Sequence, residues 1–168
     1  MTTSTHACVV DGAAAPPGSG KIPVSNGAGG YTDKTVAQIQ SRFASFSGLA
    51  NNGGSSAAQI VNGNGGITNP TIGTALKYPA IEATSKASLV VRVIGNTSST
   101  AVNFSLTKDG GVTPVGTVNY GAGATGNQQN IGFAFPLAAI TDGFDLMVSF
   151  GAGGAGQVSF TASVELIP

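Results

Sequence analysis

The chain has 168 residues, which is enough for one domain or for one domain with an arm. Seven basic residues balance seven acidic ones, and charged residues make up 8% of the chain, against about 25% in ordinary soluble domains. So few cations cannot form the basic surface that nucleic acids or anionic membranes require, and the composition therefore excludes both as partners.

Cysteine content and targeting signals further restrict the class of protein to which the chain can belong. The single cysteine, Cys8, excludes an intrachain disulfide. No apolar run approaches the ~18–20 residues of a membrane helix. The first 20 residues lack the basic and apolar regions of a secretory signal, so we expect synthesis in a cytoplasm without Sec-dependent export.

Residues 1–31 are rich in Gly, Ala, Ser, Thr and Pro, which predicts an extended N-terminal arm. Two short apolar stretches interrupt it. An extended peptide of this kind can add a strand to the exposed edge of a partner's sheet through main-chain hydrogen bonds. The predicted attachment residues are Val9, Val10, Ile22 and Val24.

The next segment, residues 32–48, has apolar residues at spacings typical of one helical face. They are Val36, Ile39, Phe43 and Phe46. The pattern predicts one short amphipathic helix, which Thr32 or Asp33 caps and Gly48 ends. The helix could pack on its own domain, or copies could form a bundle in which this stripe is the oligomer interface. The rest of residues 32–79 is a Gly/Asn-rich linker with room for one or two short strands.

Residues 80–168 show strict alternation of apolar and polar side chains, broken by Gly-, Asn- and Asp-containing turns. This pattern predicts antiparallel strands that each bury one face, and hence an all-β, jelly-roll-like sandwich domain. The residues expected in its core are Val91, Phe104, Phe133, Leu146, Phe160 and Val164.

The opposite faces of these strands also carry apolar or small residues. Val90, Ile94 and Met147 are apolar, while Gly132 and Ala134 would permit close approach of another chain. A monomeric sandwich does not need apolar or small residues on the outward faces of its strands. We therefore expect self-association, with a homotrimer as the predicted oligomer.

Residues that could carry catalysis are few. The only histidine, His6, lies in the arm, which cannot hold a base in place. Asp142 stands in a turn, and Asp145 occupies one of the polar positions of an alternating strand. Both are therefore expected at the surface. The run at residues 151–156 satisfies G-x-G-x-x-G, but a strand follows it instead of the helix that a phosphate site needs. The sequence predicts no enzyme, no cofactor and no metal site.

A Gly/Ala/Pro-rich arm, a short helix, a Gly/Asn linker and a Thr/Ser/Val-rich sandwich together resemble the virion accessory proteins of tailed phages. These include capsid decoration (cement) proteins, head fibres and fibre knobs. Residues 144–150 and 157–167 resemble the last hairpin of such trimeric jelly rolls. The resemblance implies an arm that binds the shell and a β-domain that projects from it or clamps it.

Two functional hypotheses follow. In the first, the chain is a virion structural protein, made in a host cytoplasm, whose partner is the major capsid protein or another virion protein. In the second, it is the receptor- or carbohydrate-binding knob of a phage fibre or surface appendage. Sugar sites often use an aromatic platform, for which Tyr31, Tyr78 and Tyr120 are the candidates.

Overall fold

A computed structural model describes residues 21–25, 31–35, 42–53, 59–61, 67–68, 78–80, 83–108 and 113–168. The chain forms two compact units, Met1–Gln40 and Ser41–Pro168. In the first unit, β1 (Lys21–Ser25) and β2 (Tyr31–Thr35) form an antiparallel two-stranded sheet. Part of the predicted arm is therefore a β-hairpin.

The described elements of the second unit are all strands. They are β3 (Arg42–Gly53), β4 (Gln59–Val61), β5 (Ile67–Thr68), β6 (Tyr78–Pro79), β7 (Thr84–Asn96), β8 (Val102–Lys108), β9 (Val115–Tyr120), β10 (Gly126–Leu137), β11 (Gly143–Phe150) and β12 (Ala155–Ile167). Four of them form one sheet in the order β10-β7-β12-β3. The second sheet has the order β5-β4-β11-β8-β9, with β6 also paired to β11.

The strand pairing is that of a jelly roll. β3 pairs with β12, β4 with β11, β7 with β10 and β8 with β9, each antiparallel. Leaving aside the short strands β5 and β6, the first strand of this unit pairs with the last, the second with the next to last, and so on inward. Folding such a long hairpin over itself produces the two Greek keys of a jelly-roll sandwich. The predicted fold class is confirmed.

The predicted helix is wrong over residues 32–35, where Thr32 and Asp33 lie in β2 instead of capping a helix. It is also wrong over residues 42–48, which belong to β3. This strand pairs with β12 along its length, from Arg42 opposite Leu166 to Gly53 opposite Ala155. Three residues of strand reverse the side-chain direction, so Phe43 points outward while Phe46 is buried in the core. The two side chains therefore share no stripe. Val36 and Ile39 lie outside the described residues.

The sandwich also begins earlier than the sequence patterning indicates. β3 forms one edge of the first sheet, and β4 to β6 pair within the second, all before residue 80. The segment expected to be a helix and linker thus supplies part of both sheets.

Most of the predicted core is confirmed. Val91, Phe104, Leu146, Phe160 and Val164 are buried, and Phe104 and Phe160 meet edge to face with ring centroids 4.9 Å apart. Phe133 is half-buried, because the β10–β7 register shifts between Asn130 and Phe133. Its ring lies over Gly116, whose φ of 63° and missing Cβ make room for it.

Asp145 departs from the expected pattern. Its position on β11 is on the polar phase, yet the side chain is fully buried, opposite Thr107 of β8, which is buried too. The prediction of a surface role for Asp145 is therefore wrong.

Candidate interaction surfaces

The outward side of the sheet β10-β7-β12-β3, called the outer face below, carries a patch of hydroxyl groups. Ser45 and Ser47 of β3 are exposed opposite Ser163 and Thr161 of β12. On β7, Val90 lies opposite Ser163 and Arg92 opposite Thr161. The centre of the outer face is thus polar, with Arg92 as its charged group.

Large apolar side chains surround these hydroxyl groups. Phe43 and Leu49 on β3 are 74% and 49% exposed. Val90 and Ile94 on β7 are 40% and 62% exposed, and Ile131 on β10 is 62% exposed. Exposed apolar groups that share one face of a protein often mark a site of interaction with another molecule. The exposure of Val90 and Ile94 agrees with the sequence patterning, whereas Met147 is half-buried on the other sheet.

Three loops at one end of the sandwich are joined by backbone hydrogen bonds. The N–H of Thr97 donates to Gln157 O at 2.8 Å, and that of Ser99 to Ala155 O at 2.9 Å. The N–H of Gly151 donates to Ala101 O at 2.9 Å. Side chains add to the cluster, since Asn96 Nδ2 donates to Gly121 O and Ala124 O. These hydrogen bonds hold the loops at this end of the sandwich against one another.

The glycine run at residues 151–156 is explained by this packing. It links β11 to β12, as predicted, and its last two residues are the first two of β12. A Cβ on Gly154 would overlap the side chain of Thr100. A Cβ on Gly156, whose φ is 117°, would overlap the carbonyl group of Thr97. The glycines thus allow one loop to lie against another, which accounts for the run without a phosphate ligand.

Tyr120, at the end of β9, is fully buried. Its hydroxyl lies 2.7 Å from Val91 O and 3.0 Å from Gly126 O, and its ring meets Phe104 edge to face. Burial raises the pKa of the Tyr120 hydroxyl. A buried ring cannot stack on a sugar, so Tyr120 is not the predicted aromatic platform. The side chains of Tyr31 and Tyr78 lie outside the described part of the chain.

The β10–β11 turn at the other end of the sandwich is strained. Ile140 has a φ of 68° and is 86% exposed, which is unusual because β-branched residues avoid this backbone conformation. Its N–H donates to Ala80 O at 2.6 Å. Asp142 Oδ2 accepts the N–H of Ala138 at 2.6 Å and pairs with Lys108 Nζ at 2.6 Å. These contacts hold the turn.

Acidification is expected to loosen this turn. The Ala138 N–H, followed by Lys108, holds the pKa of Asp142 below its usual value. A lowered folded-state pKa means that the stabilisation is complete above the unfolded-state pKa and is lost as the pH falls through the folded-state pKa. The difference in Tm between the wild type and Asp142→Asn should therefore shrink in acid. A difference that stays constant with pH would contradict this assignment.

The predicted attachment residues all fall within the first unit. Ile22 lies in β1 with its side chain 45% exposed. Val24 lies in the same strand, and its side chain is outside the part of the chain that the structure describes. Val9 and Val10 precede the described residues, as do His6 and Cys8. Their role stays a prediction.

The described residues hold neither a candidate metal-ion cluster nor a candidate membrane-spanning helix. No three or more His, Cys, Asp or Glu side chains there are grouped so that they could hold a metal ion. No helix among those residues is long and apolar enough to span a membrane.

Comparison with known proteins yields weak structural similarity only. No family model matches the chain, and no curated protein matches it significantly. A solved structure of infectious bursal disease virus, Gx strain, aligns with 14% identity and a TM-score of 0.31. The alignment covers 80% of this chain and 34% of the viral chain, so this chain spans about a third of that protein. The jelly-roll assignment stands on the strand pairing of the chain itself.

Proposed function

We propose that this chain is a virion structural protein of a tailed phage, of the capsid decoration (cement) or head-fibre type. The observation that carries the proposal is the outer face, on which hydroxyl groups and large exposed apolar side chains lie together on a jelly-roll sheet. Jelly rolls build viral capsid and lectin domains, but one fold serves many functions, so the surface must supply the argument.

The chemistry of the outer face suits lasting contact with other proteins. Burying Phe43, Ile94 or Ile131 removes apolar surface from water at about 25 cal/mol per Å². Hydroxyl groups can form hydrogen bonds across an interface without the large desolvation cost of buried charges. A shell or a neighbouring copy that presents a similar surface of hydroxyl and apolar groups with few charges would bind such a face.

The first unit supplies a second means of attachment. A two-stranded hairpin is marginally stable by itself, and β1 and β2 pair only with each other among the described strands. Strand addition to a partner's sheet would stabilise the hairpin and use the exposed side chain of Ile22. The partner would be the major capsid protein or another virion protein, and the chain would be located in the virion after synthesis in the host cytoplasm.

Particle purification tests this function. The chain should co-purify with intact particles at a fixed copy number per shell, measured by quantitative mass spectrometry. Ile22→Asp in the hairpin and Ile94→Asp on the outer face should each lower that number several-fold, because each would bury an unpaired charge at a contact. Deleting residues 1–31, or introducing Val9→Asp with Val10→Asp, should act in the same direction as Ile22→Asp.

Ala122→Asp is the matched control, since it adds the same charge to an exposed loop of the sandwich end. Its copy number should equal that of the wild type. Particles that lack the chain would refute a virion role. Loss with Ile22→Asp alone would assign attachment to the hairpin and remove the outer face from the proposal.

A carbohydrate-binding knob is the second candidate, and one observation favours it. Exposed and half-buried amide side chains cluster on and beside β9 and β10. There Asn119 Nδ2 donates to Asn103 Oδ1, and Asn130 Nδ2 donates to Thr117 O. Amides can donate to and accept from sugar hydroxyls. A glycan array probed with the full chain would show selective binding that Asn119→Ala weakens; uniform absence of binding would eliminate this candidate.

A further inference from the structure

Among the described strands, the long edge strand β3 has a neighbour on only one side in the first sheet. It has 12 residues, and β12 is the sole strand that pairs with it in the described part of the chain. Proteins usually protect such edges with lysine, proline, bulges or charges that point inward. β3 contains no lysine or proline, its pairing with β12 has no register shift, and its charged residue is Arg42 at the first position.

The exposed apolar groups of β3 are arranged so that the strand can pair with its own copy. In an antiparallel pair centred on Phe46, Phe43 of one copy lies opposite Leu49 of the other, on the outer face. Ser45 then lies opposite Ser47, and Ala44 opposite Gly48 on the inner side. Apolar pairs directly across two strands stabilise a sheet, and both copies contribute this pair.

Neighbouring registers lose this complementarity. Centring the pair on Ser47 would place Phe43 opposite Asn51, and centring it on Ser45 would place Phe43 opposite Ser47. A shift that pairs odd with even positions would oppose outward to inward side chains. The Phe46-centred register is therefore the one of these that matches the two large exposed side chains, which are 74% and 49% exposed in one copy.

We propose that two copies of this chain associate through β3 across a two-fold axis, joining their four-stranded sheets into one continuous sheet. An isologous contact of this kind closes on itself and gives a dimer. The strand carries no run of like charge that would repel its copy. The proposed interface differs from the sequence-based homotrimer, whose helical stripe does not exist over residues 42–48, and it does not depend on the virion role.

Light scattering of the full chain at micromolar concentration provides the first test. The wild type should have twice the mass of the chain. Leu49→Lys should give the monomer mass, because it places a charge in the β3 pair. Val90→Lys is the matched control: its side chain is exposed on the same face, but on the inner strand β7, and the dimer should persist. Circular dichroism and Tm should show that both variants are folded.

A monomeric or trimeric wild type would overturn the proposal. So would dissociation by both variants, which indicates face-to-face stacking, or by neither. Register is tested by disulfide trapping in a Cys8→Ser background, with Ser45→Cys and Ser47→Cys prepared separately. Oxidation of the mixture should give mainly the covalent heterodimer. Equal crosslinking of each variant with itself would contradict the Phe46-centred register.

Discussion

Replacing Phe160 with alanine is expected to lower the free energy of unfolding by about 3–5 kcal/mol, which is the usual cost of removing a buried aromatic ring. Phe160 is 2% exposed on β12, and its ring meets that of Phe104 on the opposite sheet at 4.9 Å. The two rings join the sheets at the middle of the sandwich, so the cavity could not collapse without moving a strand. Urea unfolding followed by circular dichroism would measure the loss.

Thr161→Ala is the control, because Thr161 is the next residue on the same strand and is exposed on the outer face. Its effect should stay within about 0.5 kcal/mol. A loss below about 1 kcal/mol for Phe160→Ala would mean that the two sheets are not packed as described.

Strands with long, unbroken alternation were predictable from the sequence. In β7, Leu89, Val91 and Val93 point inward while Val90 and Arg92 point outward, as the period of two requires. Each such strand carries its own signal, because one buried face is enough to generate the alternation. The jelly roll could be inferred from several strands of this kind, although their order could not.

β3 could not be predicted in this way, for two reasons. The spacing of Phe43 and Phe46, which continues that of Val36 and Ile39 in the sequence, fits a helical face although Phe43 and Phe46 lie in a strand. The partner strand is remote as well: Ser45 pairs with Ser163, and 163 − 45 is 118 positions along the chain. Pairing over that distance overrides local propensity and leaves no trace in a short sequence window.

The interaction surface was predictable only in part. Val90 and Ile94 were recognisable as apolar residues on a polar phase, and both are exposed. Leu49 was not, because its importance follows from the place of β3 at the sheet edge, which only the strand order reveals. Tyr120 points to the same inward side of β9 as Val118. Its position beside a glycine-rich loop nevertheless favoured the interpretation as an aromatic platform for a sugar.

Asp145 shows a different limit of sequence patterning. Alternation assigns a residue to one side of its strand, and Asp145 lies on the predicted side. Whether that side is exposed depends on what covers the sheet, which the period of two does not encode. A buried carboxylate at such a position is therefore visible only in three dimensions.

The exchange Gly156→Ala is expected to cost about 2–6 kcal/mol of stability. Its φ of 117° is a conformation that L side chains rarely adopt, which costs about 1–3 kcal/mol. The new Cβ would also overlap the carbonyl of Thr97, and relieving such an overlap by backbone movement costs about 1–3 kcal/mol more. That movement would break the bond from Thr97 N–H to Gln157 O.

Gly153→Ala separates the two causes. Gly153 belongs to the same glycine run and has a φ of 72°, but a Cβ there would meet nothing within 4 Å. It should therefore cost only the backbone penalty, about 1–2 kcal/mol. Thermal unfolding of both variants measures the comparison. Equal losses of stability in the two variants would show that the overlap with the 97–100 loop adds nothing to the cost of Gly156→Ala. Backbone conformation alone would then require glycine in this run.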